Sequence, residues 1–200
     1  MAVSSDGGSI AFEAGGSRID WAAAQAAKTS ESVCGDGYLL RRAGNRLMVA
    51  LADGVGSGPG AREAANACLE ALAAVSFGAI AELFETAHDR LRGTRGAALA
   101  LALIDLEKAA VEWAALGDVE GVICGLLPGG NDSVTIMQKG GILGMDSPRV
   151  LSQTQPFPPG HALVLASDGV SRRFRQALPS ARTPPSGVGS CLSRHLRKRA

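Results

Sequence analysis

Between Ala97 and Gln138 four apolar, strand-like runs follow one another with only a few residues between them: Ala97 to Ile104, Val111 to Leu116, Val119 to Leu127 and Val134 to Gln138. Parallel neighbours need a crossover of a dozen or more residues each time, so runs this close together pair antiparallel. Pro128-Gly129-Gly130-Asn131-Asp132 supplies turn chemistry between two of them, and a further run, Ala162 to Ala166, adds to the same meander.

Ahead of the meander the periodicity changes. Strand-like segments at Ile19 to Ala27, Tyr38 to Leu40 and Leu47 to Ala52 are separated by the turn residues Gly35-Asp36-Gly37 and Asn45. After Asp53 the apolar positions recur at helical spacing. Ser57 is a candidate N-cap, Pro59 suits the first turn, and Ala61, Ala64, Ala65, Cys68, Leu69 and Leu72 share one face. A second helix presents Ile80, Leu83, Phe84, Ala87 and Leu91, with Gly93 as its stop. Consecutive helices segregated from an antiparallel meander imply an α+β fold.

A chain of 200 residues is about one domain. Residues 1–17 are small and polar and read as a loosely ordered lead-in, 18–176 as the folded domain, and 177–200 as a Pro/Gly/Ser-rich and then basic terminal segment. The formal net charge of +1 creates no field favouring nucleic acid or an anionic membrane. The N-terminus lacks the basic-then-apolar order of a signal peptide, and no apolar stretch approaches the roughly 20 residues of a membrane span. Cys34, Cys68, Cys124 and Cys191 form no CxxC pair, which points to reduced thiols and a cytoplasmic location, not to zinc or a disulfide framework.

The candidate chemistry lies where apolar strands end in an acid. LMVALADGVGSGPGA (47–61) and ALVLASDGV (162–170) each deliver an Asp-Gly-Val to the edge of an apolar layer. A carboxylate there is costly unless something positive compensates it. One Asp-Gly is ordinarily a hairpin turn, but Asp53 is followed by a glycine loop and a helix, so no hairpin forms there. Asp36, Asp53 and Asp168 at strand ends offer oxygen ligands without His or Cys, suited to two hard cations such as Mg²⁺ or Mn²⁺ that serve in-line displacement at phosphorus. Gly54, lacking a side chain, lets its carbonyl oxygen reach a metal.

Blander and rival readings stand beside this one. Gly56-Ser57-Gly58-Pro59-Gly60-Ala61 nearly matches the dinucleotide fingerprint, although Pro59 removes a donor and the following segments do not alternate β and α. His88 reads as a solvated helix residue, His161 as part of a turn, and Trp21 and Trp113 as core. Ser57 and Ser167 have no evident His/Asp partner for nucleophilic catalysis, and Arg194, Arg197, Lys198 and Arg199 read as a solvated end.

With these residues placed, the chain resembles the metal-dependent protein serine/threonine phosphatases of the type 2C superfamily, in the SpoIIE-like branch and its RsbX-like stressosome phosphatases. The resemblance runs from about Cys34 to Phe174. It rests on Cys34-Gly-Asp36, Ala52-Asp-Gly-Val-Gly-Ser-Gly58, Gly93-Thr-Arg-Gly-Ala-Ala98, Leu116-Gly-Asp-Val-Glu120, Gly140-Gly-Ile-Leu-Gly144 and Ser167-Asp-Gly-Val170 in that order. It implies a mostly antiparallel β-sandwich flanked by helices in αββα layers. Asp53 is implied to bridge two metals, with Asp36 and the Gly54 carbonyl serving one, Asp168 the other, and Asp118 behind them. The implied reaction is attack of metal-bound hydroxide on phosphoserine or phosphothreonine of STAS-domain regulatory proteins in bacterial stress signalling. The family's final strand begins Asp-Asp or Asp-Asn, whereas this sequence runs to RHLRKRA. The expectation is therefore a weakened second metal site, with a non-catalytic regulatory binding module as the alternative function and nucleotide binding at residues 54–61 as a second.

Overall fold

A computed structural model describes residues 3–12, 17–28, 30–125, 133–171 and 173–174. The turn expected at 128–132 and the terminal segment 177–200 lie outside the described residues. The strands are β1 (Val3–Ala11), β2 (Arg18–Ala26), β3 (Asp36–Ala43), β4 (Arg46–Gly54), β5 (Ala97–Asp105), β6 (Ala110–Leu116), β7 (Val119–Gly125), β8 (Ser133–Thr135), β9 (Gln138–Lys139), β10 (Gln153–Pro156) and β11 (His161–Ser167). Two helices, α1 (Gly58–Ala74) and α2 (Ile80–Leu91), separate β4 from β5.

Antiparallel pairing orders one sheet β10-β6-β5-β4-β3, with short β9 joining β6 in parallel. A second sheet runs β11-β7-β8, and β1 and β2 form a hairpin of their own. The α+β, mostly antiparallel fold expected from the sequence is the one observed.

Alternation along the strands makes two cores. On one face of the large sheet Met48, Ala50, Ala52, Leu99 and Leu101 meet Ala64, Ala65, Cys68, Leu72, Phe84 and Leu91 of the helices. The opposite face sends Leu47, Ala100, Ile104, Val111 and fully buried Trp113 against Ile123, Leu163 and Leu165 of the small sheet. Among the described residues both helices cover one face of the large sheet. No described helix is long and apolar enough to cross a membrane.

The close fit of α1 to the sheet depends on absent side chains. A Cβ on Gly37 would sit 2.7 Å from Leu69 Cδ1, and one on Gly54 only 1.8 Å from the Ala61 carbonyl oxygen. The alanine-rich face of α1 and these glycines bring helix axis and strand ends together, just where Asp36 and Asp53 stand.

The structure corrects several local expectations. Residues 3–11 form β1 in register with β2 from Val3–Ala26 to Ala11–Arg18, not a loose lead-in. Side chains beyond the hairpin hold it: the Tyr38 hydroxyl donates to Asp6 Oδ2 at 2.6 Å, Arg42 donates to the Ala11 carbonyl at 2.7 Å, and Phe12 is buried in the inter-sheet core. Asp36 begins β3 itself, instead of sitting in a turn before it. Ser57 occupies the N-cap position, but its hydroxyl donates to Glu31 Oε1 at 2.9 Å and not into the helix. His161 opens β11. Trp21 is half-buried beside the Tyr38 ring, 6.0 Å away, instead of lying in a core.

His88 also departs from expectation. It is buried, and its Nδ1 accepts the Gly144 backbone N–H at 3.1 Å, tying α2 to the loop after β9. Removing the acceptor leaves a part-buried N–H unpaired, a loss of about 1–3 kcal/mol. His88→Ala should therefore lower the unfolding free energy by that amount, read as a lower denaturant midpoint at unchanged slope; unaltered stability would contradict the assignment.

Candidate active site

The antiparallel register of β3 and β4 sets Asp36 directly opposite Asp53. Both strands carry alternating side chains, and on both the acid follows the set Tyr38, Leu40 and Leu51, Val49 that faces the small sheet. Asp168 arrives from that small sheet, as the residue after β11 ends at Ser167. The tether between the two sheets is a hydrogen bond from the Ser167 hydroxyl to Asp36 Oδ2 at 2.7 Å. Asp118, in the turn between β6 and β7, completes the group around Asp53.

The electrostatics of Asp53 report how tightly these charges crowd. Burial, then the Asp36 and Asp168 carboxylates, a side-chain hydrogen bond with Asp36, and Asp118 together push its carboxyl up to about 8 from an ordinary 3.8. Every one of those contributions is upward. Among the described residues no three acid, His or Cys side chains are closed into a ligand cage. Carboxylates crowd together at this point without being closed onto a common centre. An all-oxygen donor set of this kind fits a hard divalent cation.

Main-chain contacts fix the positions of these acids. The Asp36 carbonyl accepts from Gln25 Nε2 at 2.9 Å and from the Arg62 guanidinium of α1. Gly54 N–H donates to the Gly35 carbonyl at 3.4 Å, and Val55 N–H to that of Gly96 at 3.0 Å. The reason Gly54 is glycine is thus the approach of α1 behind it, and the residue lines the cavity.

Other chemistries find less support. The N-terminus of α1, where a dinucleotide pyrophosphate would lie, is met by the Glu31 carboxylate through Ser57, and β4 pairs antiparallel with both neighbours. Among the described residues Ser167 hydrogen-bonds Asp36 and no histidine. Burial and the Asp36 charge push the half-buried Cys34 thiol up, away from the thiolate a nucleophile needs. Sequence reasoning brought Asp36, Asp53, Gly54 and Asp168 to one place but missed Ser167, Gln25 and Arg62 as supports. No signal short of the three-dimensional pairing marks them.

The family model described as Stage II sporulation protein E (SpoIIE) matches residues 43–183. The phosphoserine phosphatase RsbX of Bacillus subtilis (strain 168) is 23% identical over 144 residues, which is 72% of this chain and 71% of that protein. Among solved structures, RsbX in complex with magnesium aligns with a TM-score of 0.76 at 21% identity, covering 87% of this chain and 86% of that one. A chain solved in work on the bacterial stressosome, a modular system adapted to control secondary messenger signalling, aligns with a TM-score of 0.75 at 23% identity, over 99% of this chain and 95% of that one.

Proposed function

The chain belongs to the SpoIIE family, and on that premise we propose that it is a metal-dependent phosphoserine/phosphothreonine protein phosphatase of bacterial stress signalling. The observation that carries this reading is the convergence on Asp53 of Asp36, Asp168 and Asp118, with its carboxyl pushed up to about 8. The similarity to RsbX, named a phosphoserine phosphatase and solved with magnesium, supports the same substrate class and ion type.

Asp53, Asp36, the Gly54 carbonyl and Asp168 would be the ligands of two divalent ions, Mg²⁺ or Mn²⁺. When bound, such ions neutralise phosphate oxygens and acidify water. The protein's own groups do the positioning. Ser167 holds one oxygen of Asp36, and Asp36 in turn hydrogen-bonds Asp53. Asp118 adds its charge behind them. Gly56 and Gly58, both at positive φ, alternate with Val55 and Ser57 in the loop after Asp53 beside the pocket. Phosphorylated regulatory proteins of the STAS-domain type are the partners this reading implies.

The test is phosphate release from a phosphoserine peptide and from a phosphorylated STAS-domain protein, with Mg²⁺ or Mn²⁺ titrated against EDTA. Release should rise with either ion and stop with chelator. Release that persists undiminished in EDTA, or none with either ion, would overturn the reading.

A further inference from the structure

Arg41, Arg42 and Arg62 are employed inside the protein: Arg41 donates to the carbonyls of Leu72 and Val75, Arg42 to that of Ala11, and Arg62 to that of Asp36. Arg95 is different. It is exposed, and among the described residues its guanidinium has neither a hydrogen bond nor an ion pair; the ion pairs there join Arg18 to Asp20, Arg92 to Asp89 and Lys108 to Asp105. Glycines nevertheless hold it in place. A Cβ on Gly60 would sit 2.9 Å from Arg95 Cζ and Nε and 3.2 Å from Nη2, and one on Gly56 would sit 3.3 Å from Nη1. The guanidinium therefore lies across bare backbone of the loop after Asp53 and of the first turn of α1. Contact on that side restricts its rotamers before any ligand arrives, which lowers the ordering cost of binding.

Its place relative to the acids is set by the β4–β5 ladder. Asp53 stands opposite Ala98 and Gly54 opposite Ala97, and the Val55 N–H donates to the Gly96 carbonyl at 3.0 Å. Arg95 thus comes level with Gly56, a distance of roughly 10 Å along the ladder from Asp53 at about 3.3 Å per residue. Gly56 is itself exposed and lines the cavity that holds Asp36, Asp53, Asp118 and Asp168. Lys28 and Glu31 also meet this loop, at the Gly56 carbonyl and the Ser57 hydroxyl, and their charges cancel. The first turn of α1 has no acid, so the charge of Arg95 is left uncompensated. We propose that Arg95 is a specificity residue, binding the carboxylate of an acidic side chain that lies about three residues from the substrate's phosphoserine. The spacing follows from the reach of extended chain, about 3.3–3.6 Å per residue, and the ligand from the planar guanidinium, which matches a carboxylate in paired hydrogen bonds. Ions at the acids accept any phosphoserine; Arg95 selects among the segments that carry one. This inference rests on the phosphatase reading for the phosphoserine that anchors the segment, not for the affinity of Arg95 for an acid.

Phosphoserine peptides test it on the full chain with Mg²⁺ or Mn²⁺, each carrying Asp about three residues before or after the phosphoserine and each paired with a twin in which Asn replaces that Asp. In the parent, kcat/KM should be about five- to tenfold higher for one of the Asp peptides than for its twin, mainly through KM, and the advantage should shrink as salt rises. In Arg95→Gln, an exposed change that breaks no hydrogen bond, the twins should converge; Arg95→Lys, without the planar fork, should restore only part of the preference. No Asp preference in the parent, or one that Arg95→Gln keeps, overturns the proposal and leaves the phosphatase reading intact. A loss of equal size on p-nitrophenyl phosphate, which has no flanking residue, would put the guanidinium on the reacting phosphate and overturns it too. Should no substrate release phosphate with either ion, the phosphatase reading falls, and fluorescence anisotropy of the labelled peptides decides for Arg95 alone. Tighter binding of an Asp peptide by the parent but not by Arg95→Gln then supports the proposal, and equal binding overturns it.

Discussion

Asp53→Asn should cost roughly 10³-fold in metal-dependent phosphoester hydrolysis and, at the same time, make the metal-free protein harder to melt at pH 8. The first effect follows from removing a ligand of the proposed ions, whose charge stabilisation is worth several kcal/mol, about 4 kcal/mol being a factor of about 10³. The second follows from linkage. The Asp53 carboxyl is held up at about 8 in the folded chain, first by burial and then by Asp36 and Asp168, against 3.8 ordinarily. Between those values the folded protein keeps a proton that the unfolded chain releases, so stability falls as pH rises. Below pH 4 both states are protonated and the effect vanishes; above about 8 the loss is complete. Each pKa unit corresponds to about 1.4 kcal/mol, and with partial solvent access the loss between pH 5 and 8 is on the order of 2–3 kcal/mol. In a chain of this size that is about 5–10 °C in thermal midpoint. Melts in EDTA across this range should slope downward for the parent and run flat for Asp53→Asn. A variant that melts lower than its parent at pH 8, or hydrolyses phosphoserine as fast, would contradict the account.

Gly54→Ala should be among the most damaging single substitutions in the chain although it adds one methyl group. That methyl would fall 1.8 Å from the Ala61 carbonyl oxygen, 2.5 Å from its carbon and 2.9 Å from its Cα. All three are backbone atoms in the first turn of α1, so no rotamer change relieves the overlap, and the helix must move off the sheet. A cost of about 3 kcal/mol or more is expected. Gly44→Ala makes the contrast. There φ is +58° and nothing lies within 4 Å, so only backbone strain of about 1–2 kcal/mol applies. Urea unfolding of the two variants should separate them clearly; equal midpoints would show that α1 accommodates the methyl.

Much of this arrangement was legible in the letters because local chemistry and tertiary packing agree. The apolar faces of α1 and α2 read from spacing are the buried ones: Ala61, Ala64, Ala65, Cys68, Leu69 and Leu72, then Ile80, Leu83, Phe84, Ala87 and Leu91. Close spacing gave antiparallel pairs of β5 with β6 and of β7 with β8, but the expected pairing of β6 with β7 does not form, because the short turn between them carries the chain from one sheet to the other. The gathering of Asp36, Asp53 and Asp168 was readable because Asp53 and Asp168 each end an apolar run and Asp36 stands at the start of the neighbouring strand, where a strand hands a side chain to the rim of a core. What escaped notice depended on partners distant in sequence. β1 is Gly- and Ser-rich and has no strand propensity to advertise; pairing with β2 and the reach of Tyr38 and Arg42 create it. His88 sits among charged neighbours, and only the arrival of Gly144 buries it. β10 carries polar residues and a proline, as an edge strand tolerates, and so gave no apolar signal.

The hydroxyl of Ser167 and the carboxylate of Asp36 belong to different layers of the sandwich, and their 2.7 Å contact is a stitch across the seam. Asp168 rides with one side of that seam, Asp53 with the other. Sliding one layer along the other by a single residue's rise, about 3.3 Å, would pull the quartet of acids apart without anything touching it.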